Sequence, residues 1–205
     1  MTPCRDGVLG EKPLKISYVG TRGAGKLTNL RYIRGRLECR DMQRLALVTD
    51  CSFGNSMMDF LVFEIVAGYS PSIRVMLLTL CPTLHRDMSR DILISGVDGI
   101  VLVVDSRVGA LSKNISAMRE VDESKALSRA GNGGSAPLIV QYNKRDVNDR
   151  LPLQYLQSRL NPMNCPWVAS VAGDGRGVLS TLRIALSAAL EWRGLQMKRA
   201  VGYGK

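Results

Sequence analysis

The chain contains a single histidine, His85, and five cysteines, Cys4, Cys39, Cys51, Cys81 and Cys165, none of them in a Cys-x-x-Cys pair. That leaves too few ligands at suitable spacing for a structural zinc site, so no metal ligand is assigned. The odd, unpatterned cysteine count excludes a disulfide scaffold and fits reduced thiols packed as small hydrophobes. No stretch reaches the roughly 18 uninterrupted apolar residues of a membrane span. The opening Met1-Thr2-Pro3-Cys4 lacks the basic-then-apolar order of a signal peptide, and Thr2 stands where myristoylation requires glycine. The last five residues, Val201-Gly202-Tyr203-Gly204-Lys205, carry no prenylation cysteine. Aromatics make up only 5% of the chain and do not interleave with its basic residues, which weighs against stacking on single-stranded nucleic acid. A soluble, cytoplasmic, folded domain is the expectation that survives these exclusions.

What is present supports it. With 205 residues, 45% hydrophobic and 22% charged, the chain is long enough for one domain with its own core. The net charge of +10 is carried by the ends. Residues 1–44 hold ten Lys/Arg against four Asp/Glu, and residues 193–205 hold four Lys/Arg and no acid. Arg31, Arg34, Arg36, Arg40 and Arg44 with Arg193, Lys198 and Arg199 form a candidate face for an anionic surface, the alternative being a solvated helix face and a basic tail.

Alternation and β-branching predict a strand over 14–19, and apolar residues at helical spacing (Leu27, Leu30, Ile33, Leu37) predict a helix after Lys26. A minor strand over 45–49 is less marked, its apolar run being short. Strands over 60–66 and 73–80 flank a Gly68–Ser72 turn and read as an antiparallel hairpin. The unbroken apolar runs at 99–105 and 137–142 predict strands covered on both faces. Helices are expected over 86–95, 111–130, 152–160 and 178–192, with a last strand over 167–171. Alternating strands and helices argue for an α/β fold with a mostly parallel six-stranded sheet, one antiparallel edge hairpin and helices on both faces.

Gly20-Thr21-Arg22-Gly23-Ala24-Gly25-Lys26 satisfies Gly-x-x-x-x-Gly-Lys and lies between a predicted strand and a helix N-terminus, where a phosphate-binding loop must lie. Glycines let successive N–H groups turn inward, the helix start adds partial positive charge, and Lys26 adds a full one. The next position is Leu27, where the motif needs a Ser or Thr hydroxyl for Mg²⁺. Thr28 follows, but one helical step turns a side chain by about 100°. Mg²⁺ coordination is therefore expected to be impaired. Asn143-Lys144-Arg145-Asp146 closes the strand at 137–142. A pocketed carboxylate at Asp146 can accept from both N1–H and the exocyclic amine of guanine, a donor pair that adenine lacks.

Taken in order, Gly25-Lys26-Leu27-Thr28-Asn29-Leu30, Ile94-Ser95-Gly96-Val97-Asp98-Gly99, Val104-Asp105-Ser106 and Gln141-Tyr142-Asn143-Lys144-Arg145-Asp146 resemble Ras-like small GTPases, and within them the bacterial gliding-motility polarity GTPases of the MglA type. The likeness runs over about 13–192, framed by an N-terminal segment at 1–12 and a basic C-terminal tail at 193–205. It implies a Ras-like P-loop fold, GDP or GTP as the bound nucleotide, and a switch read by partners: a roadblock-type (MglB-like) regulator and polarity or motility effectors. It further implies that Asn143 braces the base and the phosphate loop, that Lys144 lies along the base, and that Val171-Ala172-Gly173 present a backbone N–H to the guanine O6.

The departures from the family gather where triphosphate and metal would be sensed. Thr79-Leu80-Cys81-Pro82-Thr83 aligns with the second-switch motif. Pro82 replaces a glycine whose N–H would reach the γ-phosphate, and Thr83 replaces the glutamine that orients water. Gly54 and Asn55 stand near the expected catalytic arginine and metal-binding threonine. His85 and Arg86 are candidate substitutes, against an ordinary helix start, and no catalytic residue is assigned. Trp167 and Trp192 read as packing aromatics, and Met57-Met58 as an adaptable surface or gap-fillers. The expected function is a guanine-nucleotide-binding switch or scaffold with slow or absent hydrolysis. The rivals are a partner-assisted GTPase and a nucleotide-free interaction module.

Overall fold

A computed structural model describes residues 12–38, 46–52, 58–65, 72–80, 96–130 and 135–202. The strands are β1 (Leu14–Val19), β2 (Ala46–Ser52), β3 (Met58–Ile65), β4 (Ile73–Leu80), β5 (Gly99–Asp105), β6 (Leu138–Asn143) and β7 (Trp167–Ala169). The helices among the described residues are α1 (Lys26–Glu38), α2 (Leu111–Ala130), α3 (Leu153–Leu160) and α4 (Val178–Gly202). The helix expected over 86–95 and the turn at 68–71 lie outside the described residues.

Among the described residues the sheet has seven strands in the order β2-β3-β4-β1-β5-β6-β7, one more than expected. The additional strand is the marginal segment at 45–49. Ala46–Ser52 pairs antiparallel with β3, with a register shift between Val48 and Asp50. Its polar second half, Thr49-Asp50-Cys51-Ser52, lacks the hydrophobic alternation that marks a strand, which suits an edge strand with a neighbour on one side only. β3 runs against both β2 and β4, and the pairings β1·β4, β1·β5, β5·β6 and β6·β7 are parallel.

β5 and β6 are buried along their whole lengths. Period-two geometry sends Val101 and Val103 to one face, with Leu30, Ile33, Leu182 and Ala185 of α1 and α4. It sends Ile100, Leu102 and Val104 to the other, with Met118, Val121, Leu156 and Leu160 of α2 and α3. Two apolar layers therefore clamp the sheet, and the loops at its C-terminal edge carry the site. Helix α4 continues to Gly202, past the 192 at which the apolar pattern stops. Arg193 is tied into the fold rather than free on a basic face. Its guanidinium bonds both carboxylate oxygens of Asp98 and donates to the carbonyls of Lys12 and Pro13. Asp98 also accepts from the Lys15 N–H at 2.8 Å. Trp167 is 40% exposed on the edge strand, though its ring packs edge-on against Tyr142 with centroids 6.0 Å apart.

Candidate functional site

The loop between β1 and α1 has three glycines at positive φ, Gly20, Gly23 and Gly25. At Gly25 (φ +105°) a Cβ would also collide with the Asn143 carboxamide, so both backbone and space require glycine. Lys26 opens α1, and its Nζ donates to the carbonyls of Gly20 and Thr21, each at 2.9 Å, folding the side chain back over the loop. Burial pushes the Lys26 pKa down to about 8, with the negative charge of Asp59 opposing the fall. Leu27 is half-buried and offers no oxygen. Thr28 is exposed, as the helical rotation predicts.

The fit for a divalent cation is therefore uneven. On the α1 side, where the motif would place a hydroxyl, there is none. On the sheet side, Asp59 of β3 stands directly opposite Thr79 of β4, and both are buried. The Thr79 Oγ1 has no hydrogen-bond partner among the described residues. Directly opposed residues share a face, so this pair places two oxygen functions together, one of them within electrostatic reach of Lys26. Sequence reading passed over Asp59, although an acid inside the apolar alternation of Met58–Ile65 was the available signal.

The second half of the site starts at the C-terminal end of β6. Asn143 is buried, and its Nδ2 donates to the Ala24 carbonyl at 2.7 Å. Its Oδ1 accepts from the Ala172 N–H at 2.8 Å and from the Ser170 hydroxyl at 3.2 Å. One carboxamide thus joins the phosphate loop to the 171–177 loop. Lys144 takes a left-handed backbone (φ 61°) and reaches the carboxylate of Asp105 at 2.8 Å. Burial alone would raise the Asp105 pKa, but hydrogen bonds from Arg107 and Lys144 outweigh it and hold the carboxyl below its ordinary range. Asp146 is exposed, and its carboxylate accepts no hydrogen bond among the described residues; its charge is felt by Arg176.

Within the 171–177 loop, the Val171 N–H is spent on the Arg176 carbonyl at 2.9 Å and the Ala172 N–H on Asn143. Of the three residues expected to face a guanine O6, only Gly173 has an N–H with no acceptor among the described residues. Tyr32 of α1 packs so closely on Gly175 (φ +87°) that any Cβ there would enter its ring. A cleft of about 270 Å³ beside the phosphate loop is lined by Thr21, Arg22, Asp105, Arg107, Lys113 and Asp149 among others, its bases Arg22, Arg107 and Lys113 facing the acids Asp105 and Asp149. The structure thus brings Gly20, Thr21, Arg22, Gly23, Ala24, Gly25 and Lys26 together with Asn143, Lys144, Val171 and Ala172 at one sheet edge. Pro82, Thr83, His85, Arg86, Gly54, Asn55 and Met57 lie outside the described residues. Among the described residues no cluster of three or more His, Cys, Asp or Glu could hold a metal ion on its own.

The chain is 30% identical over 172 residues to the mutual gliding-motility protein MglA of Myxococcus xanthus (strain DK1622), a stretch covering 82% of this chain and 86% of that protein. No protein-family model matches the chain.

Proposed function

The chain belongs to the Ras-like small GTPase family, in its MglA-type branch, and on that premise we propose that it is a guanine-nucleotide-binding switch or scaffold acting in cell polarity or gliding motility. The observation that carries this reading is the Asn143 carboxamide, bonded at once to the phosphate loop and to the 171–177 loop. Such a brace sets two half-sites at a fixed separation, as a ligand with a polyphosphate at one end and a base at the other requires. Lys26 and the inward N–H groups serve the phosphates, Asp146 reads the guanine edge, and the Gly173 N–H serves its O6. Acid extraction of the purified protein, with chromatography of what is released, tests the reading: GDP or GTP is expected, and adenine nucleotide or none contradicts it.

The finer proposal is that unassisted hydrolysis is very slow. Ras itself, with its glutamine and metal ligands, turns over on the order of 10⁻⁴ per second. Here Leu27 removes a metal ligand, Pro82 a γ-phosphate donor and Thr83 the glutamine. Losses of this electrostatic type cost about 2.7–4 kcal/mol each, though they need not add. Turnover below about 10⁻⁵ per second follows from even one. With no N–H at Pro82 to sense the γ-phosphate, GDP and GTP bind almost equally, so the nucleotide alone does not set the switch. Partners then read location or occupancy, a roadblock-type regulator and polarity effectors being the classes proposed. Single-turnover phosphate release, with and without such a regulator, decides: release at the Ras rate without a partner contradicts the proposal. A second reading, a GTPase that keeps its metal, is favoured by Asp59 and Thr79, two buried oxygen functions side by side, of which Asp59 acts electrostatically on Lys26. Among the described residues no helix is long and apolar enough to cross a membrane, which is compatible with the cytoplasmic location proposed.

A further inference from the structure

Beneath the phosphate loop, three fully buried polar side chains interrupt the apolar core. They are Asn29 of α1, Gln141 of β6 and Thr181 of α4. Around them pack Leu30, Ile33, Ile139, Val178, Leu182 and Ala185. Polar groups in such a place are costly unless hydrogen-bonded, and these three are bonded to one another in series. Asn29 Nδ2 donates to the Gly25 carbonyl at 2.9 Å. Gln141 Nε2 donates to Asn29 Oδ1 at 2.9 Å and to Thr181 Oγ1 at 3.0 Å. The Thr181 hydroxyl donates to the Gly177 carbonyl at 2.8 Å.

The two ends of this chain of bonds fix every direction within it. Gly25 and Gly177 offer carbonyls, which only accept. Asn29 must therefore turn its NH₂ to Gly25 and its oxygen inward, and Thr181 must spend its proton on Gly177 and accept from the middle. The central group has to donate twice, and Gln141 supplies two N–H bonds from one amide nitrogen. Its Oε1 has no partner among the described residues, an unmet acceptor that an apolar side chain would not carry. Stability alone gives no reason for that arrangement.

Gly25 closes the phosphate loop and Gly177 closes the 171–177 loop. We infer that Gln141, through Asn29 and Thr181, is a positioning residue that holds the phosphate loop and the base-reading loop at the separation a single nucleotide spans. Asn143 joins the same two loops on the ligand side, at Ala24 and Ala172, so the relay is a second tie set deeper in the core. With both ties in place the loops cannot drift apart independently, and a ligand gripping one end finds the other preset. The inference rests on the nucleotide-binding reading above and extends it to residues that touch no ligand.

Thr181→Val keeps the branched shape and removes the acceptor, leaving one Gln141 N–H without a partner; Thr181→Ser keeps the hydroxyl. Gln141→Met removes both central donors at similar volume. The measurement is dissociation of a fluorescent GDP analogue from each full-length variant, with inorganic pyrophosphate affinity and melting temperature measured in parallel. Thr181→Val and Gln141→Met are expected to release the analogue about tenfold faster, and Thr181→Ser to stay within about twofold of the unaltered protein. Pyrophosphate, which engages the phosphate loop alone, is expected to bind all of them within about twofold of each other. If Gln141→Met does not fold, the Thr181 pair carries the test. Thr181→Val with a lowered melting temperature but unaltered release makes the relay ordinary packing and overturns the inference. Equal weakening of pyrophosphate and GDP overturns it too, by confining the damage to one loop. An unaltered protein that binds no GDP analogue overturns both this inference and the functional reading beneath it.

Discussion

Asn143 donates from its side chain to the carbonyl of Ala24 at 2.7 Å, joining positions 119 residues apart. The same carboxamide accepts from the Ala172 N–H at 2.8 Å, so one buried group carries bonds to two loops. Replacing it with alanine leaves the Ala24 carbonyl and the Ala172 N–H without their partner, at about 1–3 kcal/mol for each buried group that stays unsatisfied. Asn143→Ala is expected to lower stability in denaturant titration and to speed nucleotide release. Unchanged release would separate the brace from binding.

A different test addresses the base. Asp146 is exposed and accepts no hydrogen bond among the described residues, so its carboxylate is available to a guanine edge. Asp146→Asn replaces one of two acceptor oxygens with a donor, which opposes the exocyclic amine of guanine. A loss of at least about tenfold in GDP affinity is expected, with little change in stability. Calorimetric titration of the variant checks both.

The phosphate loop carries a pH signature. In the empty protein Lys26 titrates at about 8 because it is buried. A bound polyphosphate favours the charged ammonium, so above that pH binding must take up a proton. Nucleotide affinity is expected to fall as pH rises through 8, by up to about tenfold per unit, and Lys26→Met is expected to abolish the slope. The stability of the empty protein runs the other way. An unfolded lysine titrates near about 10.4, so between the two values the unfolded state holds more protons and stability rises with pH. Titrations of GDP across this range, with parallel melting curves, read both signs.

Much of the fold was legible because strand and helix periods are written into residues that face the core. The runs at 99–105 and 138–143 have nothing but buried positions, and no other element could hold them. β2 was faint because an edge strand needs only one partner and its second half is polar. In the site, the glycines and Lys26 announce themselves by spacing, and Asn143 and Asp146 by their place after a buried strand. Asn29, Gln141 and Asp59 do not, since their roles depend on partners far away in sequence. Gln141 and Asp59 leave the trace of a polar residue inside an apolar run, whereas Asn29 stands between Thr28 and Leu30-Arg31 and leaves none. Nothing local distinguishes Ala172, whose N–H is spent on Asn143, from Gly173, whose N–H has no acceptor among the described residues.

Metal dependence separates the two readings of the catalytic side. With Leu27 in place of a hydroxyl, chelating Mg²⁺ is expected to change GDP affinity far less than in a GTPase with complete coordination, and Leu27→Thr to restore part of the dependence. If the dependence is already strong, Asp59→Asn is the variant expected to remove it, because Asp59 is the carboxylate that acts on Lys26. Nucleotide release rates with and without chelator, for the three proteins, make the comparison.

The central claim is guanine recognition by a braced, two-part groove, and the most direct test is equilibrium titration of the unaltered, nucleotide-stripped protein with GDP and with ADP. The account predicts that GDP binds at least about tenfold more tightly, a difference of about 1.4 kcal/mol. Equal affinities for the two nucleotides, or no binding of either, would contradict it.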